Sequence, residues 1–124
     1  MEKTSYRDLD IYKDALAQFQ TVRRISLLFP KHELYELGSQ VRRASDSTLS
    51  NIVEGYGRRR YKAEFIRFLV CSQASNLEVC CLLERLIEIY PEHFSDPAGL
   101  IDMNDRLGKK LGKFIQYVEG HWQT

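Results

Sequence analysis

The chain has 124 residues, 44% hydrophobic and 28% charged, a composition that fits one globular domain and excludes both a disordered chain and a second domain. Lys and Arg number 18 against 17 Asp and Glu, a formal charge of +1, so any attraction to polyanions must come from local clustering. The opening residues Met1 to Asp8 carry acid early and lack an apolar core, which argues against a secretory signal. No stretch approaches the roughly 20 apolar residues of a membrane helix. The expected location is the cytoplasm, with no membrane partner.

Proline and glycine divide the chain into four helical segments. The first runs from about Leu9 to Phe29, with Leu9, Tyr12, Leu16, Phe19, Val22 and Phe29 at three- and four-residue steps; Pro30 ends it. The second runs from about Leu34 to Tyr56, with Leu37, Val41, Ala44, Thr48 and Ile52 inward and Gly55 and Gly57 as its stop. The third runs from about Lys62 to Tyr90. Its seam of Phe65, Phe68, Ser72, Ser75, Val79, Leu82, Leu86 and Ile89 predicts near-parallel helix packing, and the two serines would let a neighbour approach closely. The fourth runs from about Pro97 to Val118, capped by Asp96, with Leu100, Leu107, Leu111, Phe114 and Val118 as its stripe. Four amphipathic helices with short loops predict an all-α fold, an antiparallel up-down four-helix bundle forming a single domain over residues 1–124.

The third segment carries a second apolar face. Ile66, Val70, Leu77 and Cys81 fall together at about 100° per residue, away from the seam. Either the bundle is irregular and buries both faces, or this one is an oligomer interface; the rarity of large apolar patches on small monomers favours the interface. Gly108 and Gly112 on the fourth segment offer another close-contact point.

Two polar features stand out. On the second helix Gln40, Arg43, Ser47, Asn51 and Glu54, with Arg42 beside them, offer groups suited to directed hydrogen bonds in assembly or helix packing; an ordinary solvated flank, with Asn51 bonding across to another helix, explains them equally well. From Gly38 to Arg67 seven basic residues face three acidic ones, a local +4 that leaves the remainder of the chain at −3. Arg58, Arg59 and Arg60 sit at the turn between the second and third helices, flanked by Tyr56 and Tyr61, with Lys62 and Arg67 following. Arginine forks match phosphate and tyrosine rings stack on bases. Lys109, Lys110 and Lys113 form a smaller patch. A solubilising turn is the competing reading.

Cys71, Cys80 and Cys81 lack CxxC spacing, and His32, His93 and His121 are scattered. The expectation is free thiols, no metal, no cofactor and no Cys–His dyad, hence no enzyme.

The run Ser39-Gln40-Val41-Arg42-Arg43-Ala44-Ser45, then Ser47, then Ser50-Asn51-Ile52-Val53-Glu54-Gly55, resembles a bacterial four-helix-bundle family encoded in intervening sequences of 23S ribosomal RNA genes. Gly57-Arg58, the stretch Glu64-Phe65-Ile66-Arg67-Phe68-Leu69, Ser75 with Glu78, the Tyr6-Arg7-Asp8-Leu9 opening and Phe29-Pro30 extend the resemblance over most of the chain. The family is similar to the accessory protein that helps the reverse transcriptase of diversity-generating retroelements. Leu49, Val53, Asn76 and Cys80 depart from residues common there, in place of proline, alanine, leucine and an acid. The resemblance implies a bundle assembled into a ring, a pentamer, and association with RNA or DNA; a reverse transcriptase is a partner by family analogy only. The resulting expectation is a homo-oligomeric nucleic-acid-binding accessory protein, with a protein–protein interaction module as the alternative.

Overall fold

The computed structural model describes residues 5–123, so Met1 to Thr4 of the opening stretch lie outside the described residues. After a 3-10 turn at Tyr6–Asp8, four long helices follow: α1 (Asp10–Ser26), α3 (Leu37–Gly57), α4 (Lys62–Ile89) and α5 (Pro97–His121), with a single-turn helix, α2 (Lys31–Leu34), between the first two.

Cross-helix pairs fix the directions. Tyr56 faces Phe65, Thr48 accepts a hydrogen bond from Ser72, and Ser47 meets Ser75, so α3 and α4 are antiparallel. Asp14 with Lys110 and Gln18 with Asn104 set α1 antiparallel to α5. The expected up-down bundle is the one formed.

Local chemistry explains most boundaries. Asp96 accepts the Gly99 N–H at 3.0 Å and Pro97 opens α5. α1 ends at Ser26, three residues short of the expected Phe29, in a turn that precedes Pro30, and the buried Phe29 in that turn packs against Tyr90, His93 and Phe94 at the far end of the bundle. The second helix starts three residues later than the spacing suggests, because the chain breaks at Glu36 (φ −105°, ψ −108°). Gly38 permits that break: a Cβ there would sit 2.9 Å from the Glu33 carbonyl oxygen. Gly55 and Gly57 are not a left-handed stop, since neither has a positive φ and α3 runs through both. Gly55 instead lets α4 approach, with its missing Cβ 3.1 Å from Phe68 Cβ. Gly108 and Gly112 likewise make room on α5 for the Asn76 and Gln73 amides of α4.

The buried stripe of α1 is Ile11, Ala15, Gln18, Val22 and Ser26. It is rotated from the expected one, because the inward positions are small or polar while the bulkier Tyr12, Leu16 and Phe19 cover the half-buried flank. On α4 the expected seam is buried except for half-buried Phe68 and Ser75 and exposed Ile89, and Leu69, Asn76, Cys80 and Leu83 join it.

The core falls into two apolar clusters. One gathers Ile11, Ile52, Phe65, Leu69, Leu107 and Leu111; the other gathers Val22, Val41, Val79, Leu83, Leu86 and Leu100. Between them lies a polar layer to which every long helix contributes: Gln18, Thr48, Ser72, Asn76 and Asn104, all fully buried. Gln18 Nε2 donates to Asn76 Oδ1 and Asn104 Oδ1, both at 2.6 Å, and Asn76 Nδ2 donates to the Asn104 carbonyl at 3.0 Å. Ser72 donates to the Thr48 carbonyl at 2.6 Å. Gln18 Oε1 has no partner among the described residues.

By length and mean hydropathy, 1.3 over 18 residues, α4 is apolar enough to resemble a membrane span, a test that the core helix of a bundle also meets. Its apolarity comes from two faces: Phe65, Leu69, Val79, Leu83 and Leu86 are sealed in the core, while Val70 and Leu77 point outward, 47% and 67% exposed.

Candidate nucleic-acid interface

The basic turn is less available than its sequence suggests. Arg58 Nε pairs with Glu54 at 3.2 Å and its Nη1 with Glu64 at 3.4 Å. Arg67 reaches the same Glu64 through two hydrogen bonds, 2.9 and 3.3 Å. The Arg67 hydrogen bond holds the Glu64 carboxyl below its ordinary pKa, against an opposing desolvation, and raises that of Arg67. Both guanidinium groups also lie over the Phe68 ring, at 5.0 and 4.4 Å from its centroid. Lys62 Nζ donates to the Glu119 carbonyl at 2.7 Å, tying the α3–α4 turn to the end of α5. Lys110 pairs with Asp14 at 2.7 Å, a bond that raises its pKa.

Five of the predicted cations have no carboxylate partner among the described residues: Arg59, Arg60, Lys62, Lys109 and Lys113, Lys62 being engaged by a backbone carbonyl. Arg60, Lys109 and Lys113 are exposed. Arg59 is half-buried, its guanidinium 4.0 Å over the Tyr56 ring and one N–H donated to the Tyr56 carbonyl at 3.0 Å. Tyr56 is therefore no free stacking platform: it is only 8% exposed, with Arg59 over its face and Phe65 against it. Tyr61, at 63%, is open.

The structure joins the two basic patches. Arg59 from the α3–α4 turn and Lys110 and Lys113 from α5 line one open groove of about 730 Å³. Its other walls are Leu9, Asp10, Ile11, Tyr56, Phe114, Tyr117 and Trp122. Trp122 is fixed there, its indole N–H donating to the Arg59 carbonyl at 2.8 Å and its ring standing edge-on to Phe65 at 5.1 Å. Sequence reading missed this wall. Its only local signal was the helical spacing of Lys110, Lys113, Phe114 and Tyr117, which share a side of α5.

The polar flank of α3 divides by role. Arg42 packs helices, donating to Ser26 Oγ at 3.1 Å and to the Leu34 carbonyl at 2.9 Å. Ser47 meets Ser75 at 2.8 Å, whereas Asn51 bonds only back along its own helix, to Ser47. Gln40, Arg43 and Glu54 are exposed, Glu54 holding Arg58.

Of the second apolar face, Ile66 is half-buried against the core, while Val70, Leu77 and Cys81 are exposed. Exposed Cys71 and Ala74 extend the patch, leaving Glu78 as the one charge between Arg67 and Glu84 on α4. Cys80 points the other way: burial, with Asp105 beside it, pushes its thiol up to about 11.

No curated protein matches the chain. Residues 7–113 match the sequence model described as 23S rRNA-intervening sequence protein. That match spans most of α1 to α5 and includes the arginine turn, the groove's lysines and the outer face of α4, so the chain belongs to the 23S rRNA-intervening sequence protein family.

Proposed function

We propose that the protein is a non-enzymatic homo-oligomer that binds nucleic acid as an accessory factor. The observation that carries this reading is the convergence of Arg59, Lys110 and Lys113 on one groove, with Arg60 and Lys109, on the same two elements, exposed and without a carboxylate partner among the described residues. Cations not neutralised within the chain can displace counterions from phosphates. The Val70, Leu77 and Cys81 face supplies the surface for self-assembly, and the family resemblance sets a five-membered ring as the expected form. A ring repeats the cationic groove on each copy, which multiplies weak phosphate contacts into useful avidity.

Fluorescence anisotropy with structured RNA and duplex DNA at low and moderate salt, with the mass in solution measured alongside, tests the reading. Salt-sensitive binding by an oligomer is expected. The triple variant Arg60→Gln, Lys109→Gln, Lys113→Gln should weaken it and flatten the salt slope by about 0.9 per lost phosphate contact. Unchanged binding by that variant would remove the assigned cations. No binding to either nucleic acid at low salt would favour the alternative, in which the exposed face of α4 docks a different protein.

A further inference from the structure

The groove between α1, the α3–α4 turn and the end of α5 has a chemistry that phosphate contact alone does not require. A surface that only neutralises a duplex backbone needs cations and no cavity. Here the cations surround a concave space of about 730 Å³ walled by Tyr56, Phe114, Tyr117 and Trp122. That size lies within the ordinary range for small-ligand sites, which combine apolar and aromatic walls with a few placed polar groups. The aromatic wall is held in place. Tyr117 is stacked between Phe114 and His121, with centroids at 6.1 and 5.1 Å, and Trp122 is pinned by its bond to Arg59. Arg59 lies over Tyr56 and donates to its carbonyl, which orients the guanidinium, and its own carbonyl holds the tryptophan. One acidic side chain, Asp10, stands against the three basic ones in the lining.

We infer that this groove is a nucleotide site, taking one planar heteroaromatic base against Phe114 and Trp122, beside the edge of Tyr117, with its phosphate between Arg59 and Lys113. Lys110 is held by Asp14 and contributes charge rather than a direct contact. The same chemistry has two sources: a free nucleoside monophosphate, or a nucleotide unstacked from an RNA bulge. The second source rests on the nucleic-acid reading above; the first does not.

Trp122 is the only tryptophan in the chain, so its emission reports the groove directly. The full-length protein is titrated with AMP, with adenosine and with inorganic phosphate. AMP should change the emission saturably, while adenosine and phosphate bind at least tenfold more weakly, since each offers half of the recognised chemistry. Lys113→Gln, at an exposed position, should weaken AMP at least tenfold without changing the melting temperature; Tyr117→Ala should do the same to AMP and adenosine alike. In parallel, anisotropy compares a fully paired RNA hairpin with one carrying a single bulged adenosine. A bulge preference that disappears in Tyr117→Ala assigns the site to RNA; AMP binding without such a preference assigns it to free nucleotide. Equal, Tyr117-independent binding of both hairpins with no AMP response overturns the inference and leaves the nucleic-acid reading standing. If neither hairpin binds, the nucleic-acid reading falls and the AMP titration alone decides the site. Emission that depends on protein concentration and not on AMP would show that a second copy fills the groove, which also overturns the inference.

Discussion

Glu64 holds Arg67 at 2.9 Å and Arg58 at 3.4 Å, so one exposed carboxylate engages two of the arginines that make this region look basic in sequence. Glu64→Gln should free Arg67 and leave Arg58 held by Glu54 alone. Binding to structured RNA is expected to strengthen at low salt, with a salt slope steeper by about 0.9 for each phosphate newly contacted. The melting temperature should barely move, because exposed ion pairs contribute little to stability. Anisotropy at several salt concentrations, with thermal denaturation alongside, checks both parts; an unchanged slope would mean that nucleic acid does not meet this side of the turn.

The two glycines at the end of α3 should respond in opposite ways. Gly55→Ala places a methyl group 3.1 Å from Phe68 Cβ and 3.3 Å from the Phe65 carbonyl, where backbone and a packed ring leave little room to yield. A loss of about 1–3 kcal/mol is expected from overpacking. Gly57→Ala meets nothing within 4 Å and should be neutral or stabilise by up to about 1 kcal/mol through helix propensity. Urea denaturation of the two variants separates these outcomes.

Removing one member of the buried amide layer should cost more than removing all of it. Gln18→Leu leaves Asn76 Oδ1 and Asn104 Oδ1 without the donors they now have at 2.6 Å, and a loss of about 2–4 kcal/mol is expected for stranded buried acceptors. The triple change Gln18→Leu, Asn76→Leu, Asn104→Leu should recover most of that loss, because an all-apolar replacement strands nothing. Chemical denaturation provides the comparison, and a triple variant weaker than the single one would contradict it.

Cys80 should behave unlike its neighbours. It is buried with its thiol raised from 9.0 to about 11, while Cys71 and Cys81 are exposed. In a free protomer, a thiol-alkylating reagent at pH 8 should therefore modify Cys71 and Cys81 quickly and Cys80 only as fast as the protein opens, while self-assembly through the α4 face would slow Cys81 as well. The raised value also sets a sign for pH dependence. Between about pH 9 and 11 the unfolded chain releases the Cys80 proton and the folded chain keeps it, so stability falls as pH rises, at most about 1.4 kcal/mol per unit. Cys80→Ala should lessen that slope, as measured by denaturation across the window.

The helices were legible because their stripes are long and their ends carry strong signals, such as Asp96-Pro97 and Pro30. The buried face of α1 was not, since Ala15, Gln18 and Ser26 look like surface residues beside Tyr12, Leu16 and Phe19. Their burial follows from how α1 packs against α3 and α5 and reaches α4 through Gln18, which periodicity does not encode. The arginine pairing was partly readable, in the i,i+4 step from Glu54 to Arg58 and the i,i+3 step from Glu64 to Arg67. The groove was not readable, because its walls come from Leu9–Ile11, from Tyr56 and Arg59, and from Lys110 to Trp122, which meet only when the bundle closes.

The amide layer has one more consequence, for how the helices are aligned along their length. Aliphatic side chains make up most of both apolar clusters and would pack almost as well if α5 slid by one turn, about 5.4 Å, along its neighbours. Asn104 would not: such a slide would carry it away from Gln18 and Asn76 into one of the flanking greasy zones, leaving its Oδ1 without a donor and Asn76 Nδ2 without its acceptor. The apolar residues hold the bundle shut, and these amides decide at which notch it locks, fixing how far Trp122 at the end of α5 reaches toward Arg59.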